Sequence, residues 1–158
     1  MTTHPFGPFY NEKSEILILG SFPSIKSREQ MFFYGHPQNR FWKVLSAIFA
    51  CDTPLDIDEK KNFLLENKIA LWDVIASCEI VSSADSSIKN VTANDISQIL
   101  NAANIRRIFV NGKTAEKYYN QFIKKRIGRE AIVLPSSSPA NAAWSLERLI
   151  KAWSIVLE

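Results

Sequence analysis

The feature that most constrains this chain is an alternation of pattern. Four short, near-continuous aliphatic runs, EILILGS (15–21), KIALWDV (68–74), IRRIFVNG (105–112) and AIVLPS (131–136), read as buried strands. Between them RFWKVLSAIF (40–49), DEKKNFLLEN (58–67), NDISQILNAA (94–103) and TAEKYYNQFIKK (114–125) are amphipathic. A last helical segment, WSLERLIKAWSIVL (144–157), places Leu146, Leu149, Ile150, Trp153 and Val156 on one face. This predicts an α/β fold in which helices cover both faces of a parallel sheet. The 158 residues suit a single domain, 1–158, with no repeat, linker or low-complexity tract.

In open sheets of this kind the carboxyl ends of the strands share one edge, and ligands bind there. The junctions that follow the four strands are GSFPS (20–24), Trp72-Asp73, Asn111-Gly112-Lys113 and PSSSPAN (135–141). These loops form the candidate site.

Composition narrows the chemistry. Hydrophobic residues are 46% and charged residues 22%, as in ordinary globular domains. No apolar run reaches the ~20 residues of a membrane span, and the first residues lack the pattern of a secretory signal. A cytoplasmic, membrane-free monomer is expected. Cys51 and Cys78 match no zinc or iron–sulfur pattern and are expected to be buried thiols, so neither metal nor cofactor is expected. A net charge of +3 decides little. The run of Lys113, Lys117, Lys124, Lys125, Arg126 and Arg129 reads as a solvated face unless a partner motif accompanies it.

Each loop admits a local reading and a functional one. In GSFPS, Gly20 permits close backbone approach and Pro23 fixes the chain direction. Behind it Met31, Phe32, Phe33 and Tyr34 either pack beneath their loop or form a stacking wall for a flat ligand such as a nucleobase. NGKT (111–114) imitates the end of a Walker A loop, but Arg107 stands where the first glycine is required, which excludes triphosphate binding on this motif. Lys113 at a helix start could still meet a single phosphate. Ser138-Pro139 has the form of an N-cap followed by a first helical proline. Three serines and two prolines exceed that need, and suit a phosphate backbone or a DNA groove. In HPQNRFW (36–42), Pro37 is acceptable at a first helical position, which places Asn39 in the first turn ahead of the stripe Phe41, Trp42, Leu45 and Ile48. Asparagine prefers helix ends, so a structural and a chemical role for Asn39 both stay open. His36 reads as structural or capping.

Taken together, GSFPS, HPQNRFWKVL and PSSSPAN resemble, in order and spacing, the motifs of the uracil-DNA glycosylase superfamily. The resemblance runs from about residue 15 to 157. Where that superfamily carries a first-motif asparagine, this chain has Phe22. GSFPS, GHPQNRFW, ALWDVIASC and PSSSPAN are similar to the hypoxanthine-DNA glycosylase (deoxyinosine glycosylase) branch, which shares the substitution. The resemblance implies a three-layer αβα fold with strand order 2-1-3-4. It implies monofunctional excision of deaminated bases from DNA, chiefly hypoxanthine, by base flipping in base excision repair. The product would be an abasic site. Asn39 becomes the implied catalytic residue, its amide donating to the leaving purine and its carbonyl orienting a water. Gly20, Ser21, Phe22, Pro23, Phe33, Trp72 and Asp73 are expected around the base, with Phe22 or Phe33 stacking on it and Asp73 orienting its edge. Asn111, Lys113, Ser136, Ser137, Ser138, Pro139 and Asn141 are expected against DNA. Alternatives are a uracil or xanthine glycosylase of mismatched or single-stranded DNA, a damage sensor without catalysis, and a flavodoxin-like nucleotide domain.

Overall fold

A computed structural model describes residues 1–158. The four expected strands are β2 (Ile16–Gly20), β3 (Ile69–Asp73), β6 (Arg107–Asn111) and β7 (Ile132–Leu134). They form one parallel sheet in the order β3-β2-β6-β7, which is the expected 2-1-3-4. Leu17, Ile18 and Leu19 on β2 and Phe109 on β6 are fully buried, because helices cover both faces of these inner strands. The register pairs Gly20 with Asp73 and Asn111 with Leu134, while Leu19 pairs with Val110. Asp73, Gly20, Asn111 and Leu134 thus stand in a row at the strand tips.

The covering helices are α1 (Ile25–Gln30), α2 (Phe41–Ile48), α3 (Ile57–Glu66), α4 (Ser97–Ala102), α5 (Lys113–Tyr118), α6 (Lys124–Ile127) and α7 (Leu146–Trp153). In α2, Phe41, Trp42, Val44 and Leu45 form the buried stripe, and Phe41 meets Trp153 of α7 edge to face at 5.7 Å between ring centres. A capping box starts α3: Asp56 accepts from the Glu59 amide and Glu59 from the Asp56 amide. The segment read as one helix over 114–125 is broken. A wider π turn at Tyr119–Ile123 joins α5 to α6 and keeps both of those residues buried.

A second sheet was not expected. After Asp73 the chain bends, the amides of Val74 and Ile75 bonding to the carbonyls of Gly20 and Ser21. It then continues as β4 (Ile75–Glu79), paired antiparallel with β5 (Lys89–Ala93) and with β1 (Thr2–Thr3). These strands are short and irregular in register, so their sequences carry no clear period of two.

Two further expectations fail. The Ser138-Pro139 helix start is a turn; α7 begins at Leu146 and is capped by Ser145, whose hydroxyl accepts from the Arg148 amide. Cys51 is exposed, lying past the end of α2, whereas Cys78 is buried. No helix is long and apolar enough to cross a membrane.

Candidate active site

Asn39 lies just before α2 and not within its first turn, since Phe41 is the first helical residue and Arg40 the cap. His36 shapes this lead-in, its Nδ1 accepting from the Gln38 amide at 3.1 Å and its carbonyl from the Asn39 amide at 3.0 Å. The carbonyl oxygen Oδ1 of Asn39 accepts from the Phe41 amide at 2.9 Å and from the Ser137 hydroxyl at 2.9 Å. A backbone N–H can only donate, so this contact fixes which end of the Asn39 amide faces inward. Both lone pairs of Oδ1 are engaged, and Nδ2 is left without a protein acceptor. The expected role of the carbonyl in orienting water is therefore not open to it; the donor end is the free one.

Behind Asn39 the network continues to the sheet. Asn111 Nδ2 donates to Ser137 Oγ at 2.9 Å, and the Ser137 amide donates to Asn111 Oδ1 at 3.1 Å. Ser137 is fully buried, so it grips Asn39 and Asn111, not a DNA strand. Arg40 fastens the rest of the serine loop: its guanidinium donates to the carbonyls of Ser138, Asn141 and Trp144, and its amide to the carbonyl of Ser137. Gly112, at φ 95°, brings the β6 junction against this loop; a Cβ there would lie 3.1 Å from that of Ser136.

On the other side of the row, Asp73 is buried against His4, with Nε2 of the imidazole 2.7 Å from its Oδ2. Gly20 stands between Asp73 and Tyr34. A Cβ at Gly20 would lie 2.4 Å from Asp73 Oδ1 and 2.9 Å from the Tyr34 hydroxyl, so only glycine leaves room for both groups. The Tyr34 ring stacks on Phe41 at 3.8 Å, and its enclosed hydroxyl has no partner. Burial, reinforced by the Asp73 charge, drives the pKa of that phenol far above its usual value. Ser21 donates to the Asp85 carboxylate at 3.0 Å.

A family model, the uracil DNA glycosylase superfamily, matches residues 8–156. The chain belongs to that superfamily. It is 35% identical over 156 residues to a hypoxanthine DNA glycosylase of Methanosarcina barkeri, covering 98% of this chain and 97% of the relative. A protein of the same description from Methanosarcina acetivorans is 36% identical over 150 residues, with 94% of each chain covered. The fold also matches a solution NMR structure of a protein assigned as a uracil DNA glycosylase from Methanosarcina acetivorans. That match has a TM-score of 0.79 at 32% identity, and covers 97% of each chain.

As a member of this superfamily the chain presents its motifs at the expected edge, with several departures in detail. Gly20 and Asp73 pair at the strand tips and, with the buried ring of Phe22 5.9 Å from that of His4, form a floor; Ser21 is buried as well, and Trp72 is buried on the opposite face of its strand from Asp73. Phe33 does not offer a stacking face: it is 2% exposed, with Phe6 and Phe32 edge-on to it at 4.9 and 5.4 Å. Phe22 is 8% exposed and lies under the Arg28 guanidinium at 5.6 Å. Pro23 carries the carbonyl that receives Arg28 Nε. Asn141 donates to the Ser136 carbonyl, and the Ser136 hydroxyl accepts from the Ser138 amide, so the loop is braced from within. Lys113 is exposed, and Pro139 is half-buried on the turn. An open groove of about 730 Å³ runs along Asn39, His36, Pro37 and Trp42 and faces Pro54–Asp58. No group of three or more His, Cys, Asp or Glu side chains is arranged to hold a metal ion. His4, Arg40 and Asp85 were not anticipated as site residues, and Tyr34 only as part of the aromatic loop. Of the first three, Arg40 carried a signal, since it lies inside the HPQNRFW motif.

Proposed function

We propose that this protein is a monofunctional DNA glycosylase that hydrolyses the N-glycosidic bond of deaminated bases in DNA, chiefly hypoxanthine, and leaves an abasic site. The family supports the reaction class, and the relatives described as hypoxanthine DNA glycosylases support the base. The observation that carries the mechanism is the orientation of Asn39: carbonyl doubly held, amide N–H groups free.

The chemistry follows from where charge develops. Breaking the bond to N9 leaves an oxocarbenium-like sugar and a purine rich in electrons. A fixed donor aimed at the departing base stabilises it without reorganising in the transition state. Asn39 is such a donor, held by Phe41 and Ser137 rather than by water. Water then attacks the sugar. No lysine occupies the first motif, so hydrolysis ends the reaction without a Schiff base or strand cleavage. The base reaches the site only after extrusion from the duplex, which costs a few kcal/mol and least at a poorly paired lesion. Phe22 and Asp73 meet it at the floor, while Lys113, Ser136, Ser138 and Pro139 lie along the strand it leaves.

Two substitutions separate the donor from the acceptor. Asn39→Asp keeps an oxygen for the Phe41 amide and the Ser137 hydroxyl, and near a helix start the added charge is tolerated. It removes the N–H. Single-turnover release of hypoxanthine should fall at least ~100-fold, the usual cost of one such donor, with a melting temperature close to wild type. Asn39→Ala should lose similar activity and about 1 kcal/mol of stability, since the hydrogen bonds that Oδ1 accepts from the Phe41 amide and the Ser137 hydroxyl go as well. Excision by Asn39→Asp at the wild-type rate would refute the donor role. Oligonucleotides bearing hypoxanthine, uracil or xanthine, cleaved by alkali at abasic sites, test the base itself.

A further inference from the structure

The His4–Asp73 pair is not explained by stability. Both side chains are about as buried as core residues, 3% and 5% exposed, and a buried polar pair seldom outperforms well-packed apolar residues. The chain nevertheless builds a scaffold to hold it. Thr2 and Thr3 pair with Cys78 and Ser77, the His4 amide donates to the Ala76 carbonyl at 2.7 Å, and Phe6 and Phe22 pack edge-on to the imidazole. The ring is also oriented chemically. The Phe6 amide approaches Nδ1 at 3.4 Å, which makes that nitrogen the acceptor and Nε2 the N–H that donates to Asp73 Oδ2.

One oxygen of Asp73 is thereby engaged, while Oδ1 receives no hydrogen bond and faces the space that Gly20 leaves free, beside the unpartnered Tyr34 hydroxyl. We propose that His4 is a positioning residue for the glycosylase reaction: it pins Asp73 through Oδ2 so that Oδ1 stays fixed as an acceptor for a ring N–H of the extruded base. This rests on the function proposed above and adds a residue to it. A lactam base such as hypoxanthine carries an N–H at ring position 1, whereas adenine has a lone pair there, which a fixed carboxylate oxygen repels. An Asp73 free to rotate would lose that selectivity and the alignment of the glycosidic bond with Asn39.

The test is single-turnover hypoxanthine release at saturating DNA, with DNA affinity measured separately. His4→Leu should lose tenfold or more in rate with little change in affinity. His4→Gln, whose amide N–H reaches the same oxygen, should stay within about threefold of wild type. In an Asp73→Asn background, His4→Leu should cost less than about twofold more, because His4 acts through Asp73. Equal rates for folded His4→Leu and His4→Gln, or the same loss in both backgrounds, would overturn the assignment. Should His4→Leu not fold, His4→Gln decides alone: a tenfold loss in the folded variant overturns it. A wild-type protein that releases no hypoxanthine sinks the functional reading, whereas a working enzyme indifferent to His4 sinks this one only.

Discussion

Asp85 shows how single residues at the strand tips are tuned by what surrounds them. It lies on an exposed turn, yet its carboxylate is held against Ser21. Loss of solvent raises its pKa above the usual 3.8; the Ser21 hydroxyl opposes the shift and the nearby Asp73 charge adds to it. The folded protein therefore holds this proton more tightly than the unfolded chain, and its stability declines as pH rises through the raised value. Asp85→Asn keeps the Ser21 contact without the charge. It should raise the melting temperature at neutral pH, and the gain should vanish as pH falls past 3.8. A gain of constant size across that range would exclude titration of Asp85 as its cause. Asn39 teaches the complementary lesson. Its motif was legible in the sequence, but which end of the amide is free depends on Ser137, 98 positions away, and on the first amide of a helix that starts later than Pro37 suggests.

At the scale of elements, the serine loop and the start of α2 behave as one unit because Arg40 joins them. The planar guanidinium serves three carbonyls at once, which a lysine cannot reproduce. Arg40→Lys should cost about 2–3 kcal/mol in urea denaturation and accelerate hydrogen exchange of the amides at 137–145. Hypoxanthine release should fall with it, as Ser137 loses its hold on Asn39. Unchanged exchange protection in that loop would show that the brace lies elsewhere. The inner parallel strands were legible because runs such as ILILG are apolar throughout, as burial on both faces requires; β7 showed a similar apolar run, although its Ile132 and Val133 are exposed at the edge of the sheet. The sheet of β1, β4 and β5 was not legible, because Thr2–Thr3 is too short for a period and the pairing of β4 with β5 is interrupted. His4 escaped notice for the same reason: its partner lies 69 residues on, and only that sheet brings the two together.

For the molecule as a whole, affinity for DNA should come largely from phosphate contacts, and so depend on salt. Lys113 is exposed beside the serine loop, at the same edge as Asn39. Lys113→Ala should weaken binding to lesion-bearing and intact duplex alike, and flatten the plot of log affinity against log salt by about one unit. A change confined to lesion DNA would mean that Lys113 reads the base. Lys124, by contrast, is paired with Glu130 at 2.9 Å and has less charge to offer. The distribution of the site along the chain has a consequence for synthesis. The groups of the proposed site come from His4, Gly20, Asn39, Asp73, Asn111 and Ser137, and the sheet that aligns them closes with β7. A growing chain on the ribosome therefore holds no working fragment: until Ser137 has emerged, the Asn39 carbonyl lacks one of its two donors.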